Sequence, residues 1–391
     1  MRFIHTADWQ IGKTFHGFRD FSRESMSKAR LDVIDAIAEY ANNSSNGIDF
    51  VLVCGDMFET PRVATKIVEK TLKRIEKIQK PVYVIAGNHE WNGSEYIFES
   101  KFFIDNLPPK LVVLPAGVHK VVNDLGNLVC EIVAAPREGK QDGVDVVKAQ
   151  LDLLQAATNI RVLAGHGAVD SIVYTGERKD TIALAPIEAA IKEEKIHYVA
   201  LGDRHSTTDV GSSGVVWYSG APEPTDFNED QNGQRNILEV EINPGSKAVV
   251  KPIEVGKWEF ICLGKPKDQY QLRSVQDLED LAALIEKIKR PSQTFVKIYL
   301  DSVLDVESDI QRQSLFDEWE NDTLGGFKTS DSSLGAYREI NPLTESIPNG
   351  LSGYALKAYE ELKLLAMSDD EQAEIAMEAL KLLSEFAGGN K

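Results

Sequence analysis

Apolar runs over 1–7, 50–54, 81–86, 160–164 and 199–201 read as strands, and 50–54 has the length and density of one buried on both faces. Between the first three of them the period lengthens to that of a helix. Met26, Leu31, Ile34 and Ile37 mark the inner face of a helix over 22–41, closed by Ser44-Ser45-Asn46-Gly47. A second helix follows Pro61, with Val63, Ile67, Ile75 and Ile78 on its inner side. This alternation predicts an α/β domain built on a parallel sheet with right-handed crossovers. Its functional loops are expected at the C-terminal ends of the strands.

From 111 to 136 the pattern shortens into alternating strands broken by Gly117 and by 123–127, which reads as the second sheet of a sandwich. Helices over 144–157 and 182–194, a strand from Tyr198, and strands over 215–218 and 237–242 complete a first domain over 1–258. Beyond it, helices over 275–289 and 306–320 alternate with strands over 294–301 and 327–330, predicting a small α+β cap domain over 259–340. The remainder, 341–391, reads as a linker up to about 352 and a helical tail with helices over 354–367 and 369–386. The second of these opens on Ser368-Asp369-Asp370-Glu371, which has capping-box spacing. Its apolar stripe of Ile375, Ala379, Leu382, Leu383 and Phe386 either buries against the chain itself or docks on a partner.

Composition narrows the partners. A formal net charge of −18 over 391 residues argues against nonspecific coating of nucleic acid, because phosphate binding needs lysine and arginine. Any DNA contact must then be local. Arg62, Lys66, Lys70, Lys73 and Lys77 share one helix face and are the DNA-backbone candidates, although the same residues suit the solvated back of a helix covering a sheet. Cys54, Cys130 and Cys262 lie far apart with no C-x-x-C spacing, which reads as buried thiols in a reducing, cytoplasmic setting. Met1 leads straight into a strand and no apolar run reaches membrane length, so neither secretion nor membrane insertion is expected.

The candidate chemistry gathers around Val51-Leu52-Val53-Cys54-Gly55-Asp56, where an apolar run delivers one aspartate to a strand tip and Gly55 permits a tight exit. Asp8-Trp9-Gln10, Gly87-Asn88-His89-Glu90, Gly165-His166-Gly167 and Gly202-Asp203-Arg204-His205 follow comparable runs. Their oxygen and imidazole donors suit a ring around two divalent ions, with Asp56 between them.

In this order the segments resemble the calcineurin-like metallophosphoesterases, whose pattern is D-x-H, G-D, G-N-H, a His and G-H-x-H. Within that superfamily the likeness is to the SbcD-type DNA repair nucleases. It rests further on Arg2-Phe3-Ile4-His5-Thr6-Ala7-Asp8, on Gly55-Asp56-Met57-Phe58 with an acid after it, and on Trp217-Tyr218-Ser219-Gly220-Ala221-Pro222-Glu223 trailing to Glu229. The resemblance implies a four-layer αββα metallophosphoesterase sandwich. It places one ion on Asp8, Gln10, Asp56 and His205 and the other on Asp56, Asn88, His166 and Asp203. His89, which stays free of metal in the G-N-H motif, is assigned to the scissile phosphate or the departing oxygen as electrostatic stabiliser or general acid.

Two positions depart from the pattern: Gln10 stands where the family has His, and Asp203 stands where the first His of G-H-x-H belongs. Amide and carboxylate oxygens are harder ligands than imidazole, which tilts the two divalent cations toward Mn²⁺, with Mg²⁺ next, and away from Zn²⁺. The same changes suit a second outcome, in which one ion is weakly held. Glu59 is a candidate to orient a ligand or water, and His16 is the one remaining histidine placed to face the cleft. Arg204 is open to two roles, reaching a substrate phosphate or pairing with an aspartate.

The implied activity is metal-dependent DNA hydrolysis by a two-metal mechanism, as exonuclease or structure-dependent endonuclease. The implied setting is a DNA repair or defence complex with an SMC-like coiled-coil ATPase docked on the C-terminal helices, and a homodimer is compatible with it. Two other readings remain. One is a DNA-binding scaffold weakened in catalysis, and the other is a phosphodiesterase for nucleotides or small esters.

Overall fold

The computed structural model describes residues 1–15, 20–92, 95–137, 144–172, 181–227, 235–331, 351–368 and 372–388. The chain divides into two compact units, Met1–Phe260 and Ile261–Lys391.

In the first unit the strands β1 (Arg2–Thr6), β2 (Phe50–Cys54), β3 (Val82–Ile85), the short hairpin β4 (Trp91–Asn92) and β5 (Glu95–Tyr96), β6 (Leu111–Val113) and β7 (Gly117–Val122) come first. They are followed by β8 (Leu128–Ala135), β9 (Arg161–His166), β10 (Tyr198–Gly202), β11 (Thr208–Asp209), β12 (Val216–Tyr218), β13 (Asn236–Glu241) and β14 (Val249–Glu254). The helices are α1 (Asp20–Asn42), α2 (Thr65–Ile75), α3 (Lys101–Asp105), α4 (Val146–Leu151) and α5 (Leu184–Lys192).

One sheet runs β14-β13-β1-β2-β3-β6 and the other β11-β12-β10-β9-β8-β7. Their centres are parallel, β1 with β2, β2 with β3, and β9 with β8 and β10. Strand β2 shows why its sequence is a continuous apolar run. Phe50, Leu52 and Cys54 face a core between the sheets, shared with Ile132, Val162 and Tyr198, while Val51 and Val53 face α1 and α2 through Ile34, Ile37, Val68 and Leu72. The second sheet is covered on its outer side by α4 and α5, through Val147, Leu151, Ile187 and Ala190. These three apolar layers make the four-layer αββα sandwich, and each fully buried Val, Leu, Ile or Phe contributes roughly 1.5–3 kcal/mol. His5 ties the two sheets together, one ring nitrogen 3.0 Å from the Tyr198 hydroxyl and the other 3.1 Å from the Leu201 carbonyl. Burial drives its pKa down to about 3, against the smaller opposing pull of that carbonyl, so the ring is neutral.

Several local expectations change, among them the helix over 144–157, which covers only Val146–Leu151. Leu111–Val113 belongs to the first sheet, not the second, because the Val82 amide bonds to the Lys110 carbonyl and the Leu114 amide to the Val84 carbonyl, which lays β6 along β3. The helix after Pro61 covers only Thr65–Ile75, so Arg62 and Lys77 stand outside it. Strand β14, which the pattern did not predict, carries Pro252 and leaves every residue exposed or half-buried at the sheet edge.

In the second unit β15 (Glu259–Leu263), β16 (Tyr270–Leu272) and β18 (Gly326–Asp331) all pair with β17 (Thr294–Ser302). Helix α6 (Val275–Glu286) starts on a capping box between Ser274 and Asp277. It packs Leu278, Leu281 and Ile285 with Val296, Ile298 and Leu300, beside Phe316 of α7 (Val306–Glu318) and Trp319. Helices α8 (Tyr354–Ala366) and α9 (Ala373–Gly388) bury Tyr359, Ala376 and Leu380. The stripe singled out on α9 is therefore not its buried face: Ile375 and Leu382 are exposed, and Ala379 and Leu383 half-buried. The Phe386 side chain, the capping-box residues 369–371 and most of the linker over 341–352 lie outside the described residues. Among the described residues no helix is long and apolar enough to cross a membrane.

Candidate metal centre

Each candidate donor stands where an apolar strand runs out. Asp8 follows β1, Asp56 follows β2, Asn88 follows β3, His166 ends β9, and Asp203 comes directly after β10. Parallel neighbours deliver these ends to one side of the sandwich. Asp8, Gln10, Asp56 and Asp203 all have positive φ, at 56°, 44°, 51° and 98°, a conformation costing on the order of 1–3 kcal/mol each. A short backbone ladder holds it: the Asp8, Gln10 and Ile11 amides donate to the Gly55, Asp56 and Met57 carbonyls.

The strand ends meet so closely that side chains are excluded between them. A Cβ on Gly87 would lie 2.1 Å from Asp56 Oδ1, and one on Gly202 would lie 2.1 Å from the Cys54 carbonyl and 2.7 Å from His166 Nδ1. Glycine at these positions is a requirement of close approach.

The ring nitrogens are assigned by their partners. His166 Nδ1 donates to the Cys54 carbonyl at 2.8 Å, which turns Nε2 toward Asn88 Oδ1 at 3.0 Å and Asp56 Oδ2 at 3.3 Å. His205 Nε2 accepts from the Gln10 amide at 3.1 Å, so its Nδ1 donates to the Thr225 hydroxyl at 2.6 Å. Asp8 accepts from the Asp203 amide at 3.2 Å and lies 4.0 Å from His205 Nε2. His89 Nδ1 donates to the Glu59 carbonyl at 2.8 Å, leaving Nε2 3.9 Å from Asp56 Oδ2. His89 is thus supported by the Glu59 backbone, and the Glu59 carboxylate lies 3.9 Å from the same ring nitrogen while its other oxygen takes Lys13 at 3.2 Å.

The electrostatics describe a pocket with excess negative charge. Burial raises Asp8 to about 7, reinforced by Asp56 and Asp203 and moderated by His205 and His166. Burial works against a charged His166, but Asp56, Asp8 and Asp203 outweigh it and raise the imidazole to about 10. Asp56 is held below its usual value: burial opposes this, and His166 and His89 prevail. Such a site is suited to cations.

The donor set fits a divalent metal. Ligand atoms of Asp8, Asp56 and His166 lie within 4.8 Å of one another. Among the described residues Gln10 Oε1 is buried without a hydrogen-bond partner, an arrangement costing roughly 1–3 kcal/mol that a cation would relieve. Asp8, Gln10, Asp56, Asn88, His89, His166, Asp203 and His205 are thereby gathered at one place. Arg204 donates through Nε to the Thr208 hydroxyl at 2.7 Å. Of the basic candidates around α2, Arg62 pairs with Glu95, Lys73 with Glu69 and Lys77 with Asp35, and Lys66 and Lys70 are exposed. His16 lies outside the described residues.

Sequence reasoning missed Glu90, although it directly follows Gly87-Asn88-His89. It is fully buried and accepts from the amides of Gly87, Asp56 and Phe58 at 2.7, 3.1 and 2.9 Å, pinning the Asp56 loop to the Asn88 loop. Burial first, then Asp56, raises its pKa to about 8 against the lowering effect of those amides. An acid one residue past a G-N-H motif was the available signal.

Strand ends of this kind, carrying Asp, Asn, Gln and His donors into one buried pocket, define a metal-dependent phosphoester hydrolase. The sequence profile of the calcineurin-like phosphoesterases matches residues 1–207, and the chain belongs to that family. It is 23% identical over 315 residues to a subunit of the nuclease SbcCD of Bacillus subtilis (strain 168), covering 73% of this chain and 76% of that one. It is 24% identical over 259 residues to the SbcCD nuclease subunit of the same name in Escherichia coli (strain K12), covering 59% of this chain and 62% of that one. The Staphylococcus epidermidis protein bearing that name is 20% identical over 267 residues, covering 62% of this chain and 67% of that one.

Proposed function

We propose that the chain is a DNA nuclease that uses two divalent cations, with Mn²⁺ preferred. The observation that carries the reading is the buried, partnerless Gln10 Oε1 beside Asp8, Asp56 and His205, an oxygen donor standing where the family pattern has imidazole. Asp8, Gln10, Asp56 and His205 would hold one ion, and Asp56, Asn88, His166 and Asp203 the other. Two cations bound there supply charge neutralisation on a phosphodiester and a water that ionises near neutral pH. The protein contributes orientation. Asp56 is shared by the two sets and fixed by Glu90 through its own amide, and the Cys54 carbonyl fixes which nitrogen His166 presents. His89 keeps Nδ1 engaged on Glu59, so Nε2 is the atom that can hold a proton for a phosphate oxygen or a departing alkoxide.

DNA as substrate is supported by three relatives named as nuclease subunits. The same names support work within a complex, and a coiled-coil ATPase held by α8 and α9 is the proposed partner. Exposed Tyr354, Leu364, Met367, Ile375 and Leu382 on these helices suit such a contact. The deciding experiment follows Mn²⁺-dependent degradation of end-labelled linear duplex and single-stranded DNA. Loss of degradation in both Asp56→Ala and His89→Ala is expected. A wild-type chain that leaves DNA intact yet cleaves a chromogenic phosphodiester would transfer the proposal to small esters.

A further inference from the structure

Arg30 lies in the middle of α1, yet only 2% of it is exposed. A buried guanidinium is costly unless its donors are used. Here one arm donates to the Trp9 carbonyl at 2.9 Å and the other to the Pro224 carbonyl at 2.5 Å. Its face lies against the Phe15 ring, 5.2 Å from the centroid. Its charge acts on Glu223, itself buried and fixed by the amides of Lys257 and Trp258 at 2.8 and 3.1 Å.

The two carbonyls held by Arg30 belong to different flanks of the metal centre. Trp9 sits between Asp8 and Gln10, both of which need positive φ to aim their side chains inward. Pro224 precedes Thr225, whose hydroxyl accepts from His205 Nδ1 and turns Nε2 toward Gln10. One side chain therefore braces the backbone that carries Asp8 and Gln10, beside its ladder to Gly55, Asp56 and Met57, together with the loop that orients His205. In contrast, His166 takes its orientation from the Cys54 carbonyl, and neither Arg30 nor Thr225 is among its bonded partners.

We infer that Arg30 and Thr225 are positioning residues that set the cation affinity of the Asp8, Gln10 and His205 side of the centre, and leave the Asn88 and His166 side to its own anchors. This rests on the proposed two-ion reading. Partners that orient a metal-binding histidine in this way typically change metal affinity by ~10–100-fold.

The test is Mn²⁺ binding to the full chain, counted by electron paramagnetic resonance of the free ion, with the thermal midpoint of the metal-free protein as control. Thr225→Val keeps the volume and removes the acceptor. It is expected to weaken one of two bound ions by ~10–100-fold, to leave the other unchanged, and to leave the metal-free midpoint near wild type. Thr225→Ser is expected to restore wild-type binding. If Thr225→Val does not fold, Thr225→Ala reads the same loss without steric conflict. Arg30→Lys, which cannot hold both carbonyls, is expected to weaken the same ion. A Thr225 variant that binds both ions as tightly as wild type, or weakens both equally, overturns the inference and leaves the two-ion reading standing. A wild-type chain that binds fewer than two ions overturns that reading itself.

Discussion

His166 and His205 come from neighbouring strands of one sheet and face the same pocket, yet the first side chain is fully buried and the second keeps 21% of its surface exposed. They are also held by different means. His166 is fixed by main chain, through the Cys54 carbonyl and the glycine contacts at Gly55 and Gly202. His205 is fixed by side chains, Thr225 directly and Arg30 through the Pro224 carbonyl. Main-chain support at the junction of two sheets can yield only if the sandwich itself yields. Side-chain support can be altered one residue at a time, which makes the His205 half the natural place for affinity to vary.

The largest effect is expected where the halves join. Asp56→Ala removes the carboxylate common to both, and hydrolysis of labelled DNA should fall by roughly 10³-fold or more in initial rate. Gly87→Ala strikes the same carboxylate from the Asn88 side. Its Cβ would meet Asp56 Oδ1 at 2.1 Å, and the forced displacement should lower the rate by about 10²-fold, with weaker Mn²⁺ binding, while Gly126→Ala, strained by a φ of 76° but open in space, should leave both unchanged.

A smaller effect should appear in pH-dependent stabilisation by metal. Asp8 in the metal-free protein titrates at about 7 and His166 at about 10, so protons compete with cations at both. The rise in thermal midpoint caused by Mn²⁺ should therefore grow from pH 5 to pH 8. At about 100 times the dissociation constant it corresponds to roughly 2.7 kcal/mol. A midpoint shift that is flat across this range would remove Asp8 and His166 from the ligand set.

The smallest effect concerns the floor beneath the two halves. His5 titrates at about 3 in the fold and near 6.5 when unfolded, so its contribution is complete above 6.5 and is lost as pH falls toward 3. The limiting slope is about 1.4 kcal/mol per pH unit. Urea unfolding should show His5→Gln less sensitive than wild type to a change from pH 7 to pH 5, by roughly 2 kcal/mol. Equal pH sensitivity would mean that His5 is not held neutral between the sheets.

The gathering of the candidate donors was legible because Asp8, Asp56, Asn88, His166 and Asp203 each stand at or just past the end of an apolar strand, and strand ends in α/β sheets converge by topology. The helices and parallel strands were legible for the same reason, through period. Contacts between distant segments were not. Nothing in the run around Arg30 shows that it reaches Pro224, 194 residues away, and nothing beside Thr225 points to His205. The lysines around α2 illustrate the converse. Their spacing, with Arg62, was plain in sequence, but the acids that pair with Arg62 and Lys77 come from elsewhere, Glu95 and Asp35, while Lys66 and Lys70 are exposed. Leu111–Val113 joins the first sheet against expectation because a run of three apolar residues does not say which edge it extends.

The central claim is that one ring of donors holds two cations joined at Asp56, with Gln10 and Asp203 as working ligands. Crystals grown with Mn²⁺ and measured at the manganese absorption edge test it most directly. Two anomalous peaks about 3.5–4 Å apart are expected, one against His166 and Asn88 and the other against His205 and Gln10 Oε1, with Asp56 touching both. A single peak, or two peaks with Gln10 and Asp203 turned away, would contradict the account.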